Sequence, residues 1–197
     1  MTPLKNVDRL VQADILEKAT DWELDSATYL AADWPETVHA PHLHIRPWSP
    51  LPASAAFSEV ADGDGGLIID AHGSRGRPSV LGDVLDLGGL AELAPNSGWG
   101  RPSLAYDMVV LGSCWAMPGA AGPLESSIAT MLEKSVVLVG SADTVPFSAG
   151  APVYRAVLEA YDRWLTASPS STEGLSGLIA GVVPDGWLAK VLQPSVT

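Results

Sequence analysis

The chain has 197 residues, of which 47% are hydrophobic and 17% charged, with 11 Lys+Arg against 23 Asp+Glu, four His and one Cys. That excludes a disordered chain, an internal disulfide framework and a multi-cysteine zinc site. A formal net charge of −12 repels phosphate backbones over most of the surface, which argues against nucleic acid as a partner.

One domain with a sizeable core fits this length. No apolar run approaches the ~20 residues that span a bilayer, and the opening MTPLKNVDRLVQADILEK has no signal-peptide core. The expectation is a cytoplasmic protein with no membrane partner.

The first ~30 residues read as helical, because Val7, Leu10, Val11, Ile15 and Leu16 recur at three- and four-residue steps around Asp8 and Asp14. Residues 33–66 carry Pro35, Pro41, Pro47, Pro50 and Pro52, which break any long helix. Within them HLHIRPW (42–48) suits a short edge strand, SAAFSEVAD (54–62) one or two helical turns and DGDGG (62–66) a turn.

From Gly66 the pattern alternates. LIIDA (67–71), DMVVLGS (107–113) and SVVLVGSA (135–142) are apolar, β-branched strands. VLGDVLDLGGLAEL (80–93) holds a short helix, and PLESSIATMLEK (123–134) and PVYRAVLEAYDRWL (152–165) have helical periodicity, with Pro152 placed in a first turn. A Ser/Pro linker (168–172) leads to GLSGLIAGVV (174–183), an apolar tail suited either to packing on the sheet or to a dimer patch.

Strands separated by helices predict an α/β domain, a mostly parallel sheet covered on both faces. Ligands then sit beyond the carboxyl ends of the strands. His72, Cys114 and Asp143 all fall just past those ends. A cysteine peptidase needs a thiolate, an imidazole and backbone donors for the oxyanion, and two adjacent parallel strands would bring His72 and Cys114 together.

The order apolar strand, His-Gly, loop with a short helix, apolar strand, Ser-Cys resembles that of the caspase, gingipain and separase group. Within that group it is most similar to the CHAT domains, caspase-like peptidases found beside tetratricopeptide repeats in bacteria. LIIDAHGSRG (67–76) resembles their histidine block and DMVVLGSCWAMPGAAG (107–122) their cysteine block, while SVVLVGSADTVPFSAG (135–150) resembles the strand and loop that follow. The likeness spans residues 66–165 of a single 1–197 domain; residues 1–65 match poorly and 166–197 form a tail.

The resemblance implies a caspase-like sandwich in which Cys114 is the nucleophile and His72 the general acid/base. The N–H groups of Gly73 and Cys114 would form the oxyanion hole. Asp70, Ser141, Asp143 and Trp115 are the candidates for the substrate pocket, an acidic one favouring Lys or Arg. The reaction needs neither cofactor nor metal. Its partners would be a protein or peptide substrate and, as in relatives held inactive until signalled, an activating partner protein or a second copy in a homodimer. Such relatives act in bacterial defence and cell-death responses. Ser113 stands where many relatives carry alanine, and Trp115 is bulky beside a nucleophile. Either fits an unusual pocket or the alternative of a catalytically inactive module that binds or scaffolds a partner protein.

Other chemistry has weaker support. His42 and His44 would share a strand face and, with His39 and Asp33, suit a metal, although Pro-rich loops often collect histidines without one. DGDGG opens like a calcium loop, yet its twelfth position is Gly73 where a bidentate Glu belongs. No G-x-S-x-G elbow and no phosphate-binding G-x-x-x-x-G-K-[ST] loop occurs.

Overall fold

A computed structural model describes residues 2, 4–11, 38–46, 49–50, 64–70, 105–114, 116–117, 129, 132–145, 147–167 and 171–195. Three apolar runs form its centre: β4 (Gly66–Asp70), β5 (Met108–Gly112) and β6 (Val136–Ser141). Apolar side chains on both faces of these strands are buried, as parallel strands inside an α/β layer require.

Among the described residues six further segments join them: the strands β1 (Lys5–Val11), β2 (Leu43–Ile45), β3 (Ser49–Pro50) and β7 (Trp187–Leu192), and two helices, α1 (Phe147–Thr166) and α2 (Thr172–Ala180). The strand order is β2-β1-β4-β5-β6-β7, with β3 also on β1. All pairings are parallel except the last, where β7 runs antiparallel to β6. The fold is thus an open, mostly parallel α/β sheet.

Over Lys5–Val11 the structure corrects the helical expectation, and the rest of that expected helix, residues 12–30, lies outside the described residues. Lys5–Val11 is a strand, in register with β4 from Val7↔Gly66 to Val11↔Asp70. The steps Val7, Leu10, Val11 mimic a helix, but Val7 and Val11 share one sheet face and Leu10 takes the other. The charged residues between them are inside as well. Asp8 accepts the Tyr106 hydroxyl at 3.0 Å and pairs with Arg46 at 3.2 Å, and Arg9 is 1% exposed.

HLHIRPW does contain an edge strand: Leu43–Ile45 pairs with Lys5–Val7. Pairing resumes at Ser49, and the intervening sequence holds Pro47, which has no N–H to give. The helix expected from 152 begins at Phe147, so Pro152 is its sixth residue and lies beyond the first turn. The 174–183 stretch is mostly helix α2, capped by Ser171, whose Oγ accepts the Gly174 N–H at 3.1 Å. Leu175 and Ile179 bury in the core cluster, while Leu178 between them is exposed. The chain then turns at Gly186, whose φ of +87° suits glycine, into β7. The expected helices at 54–62 and 80–93 and most of that at 123–134 lie outside the described residues; of the last, Ala129 is helical and Leu132–Lys134 are not.

One apolar cluster runs from Val7, Ile68, Met108, Val110, Val137 and Val139 on the sheet to Val153, Val157, Leu158 and Tyr161 on α1, and on to Leu175 and Ile179 of α2. Both helices therefore cover the same face. On the opposite face Leu67, Ile69, Val109, Leu111 and Leu138 are also buried, and Ala116 and Met117 pack there over Gly140, where a Cβ would come within 2.7 Å of Met117.

Two tyrosines fasten α1 to the sheet. Tyr154 and Tyr161 are seven residues apart, two helical turns or about 10 Å along the axis. Tyr154 donates its hydroxyl to Asp70 at the carboxyl ends of the strands. Tyr161 donates to Asp107, just before β5, at 2.6 Å. Asp107 also binds Lys134 at 2.5 Å and Lys5 at 3.8 Å, and Lys5 reaches Asp64 at 3.6 Å. Burial chiefly, then the charge of Asp107, its hydrogen bond and the charge of Asp64, push the Tyr161 phenol well above its ordinary value.

Candidate functional site at the carboxyl ends of the strands

Strands β4 and β5 end together. Their last register pair is Asp70↔Gly112, and β6 lies on the other side of β5, its final residue being Ser141. Two residues past Gly112 stands Cys114, half-buried and a free thiol. Its Sγ accepts the backbone N–H of Val145 at 3.2 Å and lies 3.9 Å from the Val145 carbonyl oxygen. Val145 follows β6 and precedes α1 by two residues, so the loop from Ser141 sits against the sulfur.

Ser113 is 1% exposed, and its hydroxyl has no hydrogen-bond partner among the described residues. Such a group costs about 1–3 kcal/mol relative to a satisfied one. It is the clearest local conflict at this edge.

The residues expected to line a substrate pocket separate into distinct roles. Asp70 is 5% exposed and accepts the Tyr154 hydroxyl. Ser141 is buried, accepts the Asp143 N–H at 3.1 Å and reaches the carbonyls of Asp143 at 3.0 Å and Gly186 at 3.3 Å. It thereby joins the β6 loop to the turn before β7. Asp143 is exposed; its carboxylate accepts the Thr144 N–H at 2.7 Å. Of these three, Asp143 is the one whose carboxylate faces solvent beside the Cys114 loop. His72, Gly73 and Trp115 lie outside the described residues.

Residues that the sequence did not mark also shape this edge. A Cβ at Gly112 would overlap both the Tyr154 hydroxyl and the Asp70 carboxylate, so the pair occupies the space left by the missing side chain. Tyr154 reads in sequence as one more apolar position of a helix. Its spacing from Tyr161 is the only sequence trace of the two anchors.

The histidine cluster is tied into the fold. His42 gives its backbone N–H to Asp162 at 2.7 Å, with Nδ1 3.2 Å from the same oxygen. The His39 N–H reaches Glu159 at 3.3 Å, and His44 Nδ1 faces Asn6 Oδ1 at 3.3 Å. These contacts dock residues 39–44 on α1 and β1. Among the described residues no group of three or more His, Cys, Asp or Glu side chains is placed to hold a metal, and no helix is long and apolar enough to cross a membrane.

Compared with known proteins, the chain matches no family model and no curated protein.

Proposed function

We propose that the chain is a caspase-like cysteine endopeptidase of CHAT-type architecture, with Cys114 as nucleophile and His72 as general acid/base. One observation carries the reading: Asp70 and Gly112 are opposite one another at the ends of adjacent parallel strands, and the sequence puts His72 two residues after the first and Cys114 two residues after the second. The cysteine is also partly accessible, as a reactive thiol requires.

In this mechanism His72 takes the Cys114 thiol proton as Sγ attacks the scissile carbonyl carbon, and the N–H groups of Gly73 and Cys114 hold the oxyanion. His72 passes a proton to the leaving amine as the C–N bond breaks, leaving a thioester. It then takes a proton from water, which attacks the thioester and releases Cys114. Each oxyanion donor is worth roughly 3–4 kcal/mol. Asp143, exposed on the loop that touches Cys114, supplies a preference for Lys or Arg before the cleaved bond. Activation by a partner protein or by a second copy, a cytoplasmic setting and a place in a bacterial defence or cell-death response belong to the same reading.

The alternative is an inactive caspase-like module that binds or scaffolds a partner protein. What favours it is the Val145 backbone, whose N–H and C=O both already lie against Sγ. Cleavage of a peptide library by wild type, Cys114→Ala and His72→Ala decides between them. Cleavage lost in both variants, with native circular dichroism, supports the peptidase. Undiminished cleavage by Cys114→Ala overturns it.

A further inference from the structure

We propose that Tyr154 is a positioning residue for Cys114: its bond to Asp70 over Gly112 fixes the start of α1 and, with it, the Val145 N–H that holds the sulfur. The inference rests on the reading of Cys114 as nucleophile and adds the residue that orients it.

The connections are short and continuous. Tyr154 is in the N-terminal half of α1, and Val145 stands two residues before that helix begins. The Tyr154 ring is buried among Val153, Val157 and Trp187, the last meeting it edge-on with centroids 6.4 Å apart. Its hydroxyl is therefore directed by packing, and it lands on Asp70 in the space above Gly112. Gly112 precedes Cys114 by two residues on the same backbone. Helix start and strand end are thus tied at one point, and the sulfur lies in the gap that this tie sets, 3.2 Å from the Val145 nitrogen. A hydrogen bond between a buried hydroxyl and a buried carboxylate is among the stronger ones a protein makes. Tyr161 makes the same kind of bond at the other end of the strands, so it serves as an internal control.

The test is the rate at which iodoacetamide alkylates the full-length protein, which has one thiol, in wild type, Tyr154→Phe and Tyr161→Phe. Releasing Val145 from the sulfur uncovers a half-buried thiol. Tyr154→Phe is expected to raise the rate at least about fivefold, with Tyr161→Phe within about twofold of wild type, on the scale set by thiol access. Asp70→Asn, which weakens the same bond at constant volume, is expected to give an intermediate rise and serves if Tyr154→Phe loses its native circular dichroism. A Tyr154→Phe rate within twofold of wild type, or an equal rise in both tyrosine variants, overturns the inference. His72→Ala, measured alongside, separates the two ideas. An unchanged rate there with a raised rate in Tyr154→Phe removes the dyad and leaves Tyr154 as the residue that holds Val145 against a structural thiol, and the reverse pattern keeps the dyad and removes the role of Tyr154.

Discussion

The backbone N–H of Val145 points at Cys114 Sγ across 3.2 Å, which couples the loop after β6 to the residue two positions past the end of β5. These two residues are 31 positions apart in sequence, and the contact depends on the parallel β5·β6 pairing that sets both strand ends at one edge. The fold therefore gathers at that edge a thiol, a backbone donor and an exposed acid, Asp143.

Ser113 offers the most direct check on packing there. Its buried hydroxyl has no partner among the described residues, so Ser113→Ala removes an unsatisfied group and leaves almost no cavity. The expected result is a gain of about 1 kcal/mol, seen as a rise of roughly 2–4 °C in Tm for a chain of this size. A loss of stability would show that the hydroxyl is satisfied in solution.

Gly112 and Tyr154 should be energetically coupled. A Cβ at Gly112 meets the Tyr154 hydroxyl, so Gly112→Ala is expected to cost about 1–3 kcal/mol. In the Tyr154→Phe background part of that clash is gone. The double variant should then be more stable than the sum of the single effects by about 0.5 kcal/mol or more, measured by urea unfolding. Simple additivity would place the two residues out of contact.

Alkaline pH should expose the Tyr161 anchor. Its folded-state affinity for the proton is raised above that of an ordinary tyrosine, about 10, by burial and by Asp107. Above pH 10 the unfolded chain releases this proton while the folded chain keeps it, so the unfolded state binds fewer protons and stability falls as pH rises. The contribution of this one group is about 1.4 kcal/mol per pH unit. Below pH 10 it is fully present. Tyr161→Phe should therefore flatten the decline between pH 10 and 11, relative to wild type, in parallel urea titrations.

How much of this was legible in the sequence differs from element to element. LIIDA, DMVVLGS and SVVLVGSA declare themselves because strands buried on both faces must be continuously apolar, and the positions of Cys114 and His72 just past two of them follow from the same pattern. Lys5–Val11 hides, since Asp8 and Arg9 look like the polar face of a helix until Tyr106 and Arg46 are brought beside Asp8 from other parts of the chain. WLAKVL hides for another reason. It is an edge strand whose burial alternates, with Leu188 and Lys190 exposed, and it follows a glycine-spaced stretch with weak helical character. The Tyr154–Asp70 bond and the Val145 contact are tertiary, and no local spacing encodes them.

Asp143 carries the specificity prediction. Asp143→Asn keeps the Ser141 contact, which uses the backbone N–H, but removes the charge. In a peptide library, kcat/KM for Lys or Arg before the cleaved bond should fall about tenfold, the scale of one charge-assisted contact, with neutral residues little affected. An unchanged preference would place the recognition elsewhere.

The pairing of Cys114 with His72 is tested most directly by the iodoacetamide alkylation rate, read by mass spectrometry from mildly acidic to mildly alkaline pH in wild type and His72→Ala. With one cysteine in the chain, the modified site is unambiguous. A paired nucleophile predicts that His72→Ala reshapes the pH profile and lowers the rate near neutral pH by at least about tenfold, because the adjacent base that activates the thiol is gone. Superimposable profiles for the two proteins would contradict the pairing and leave Cys114 a structural thiol.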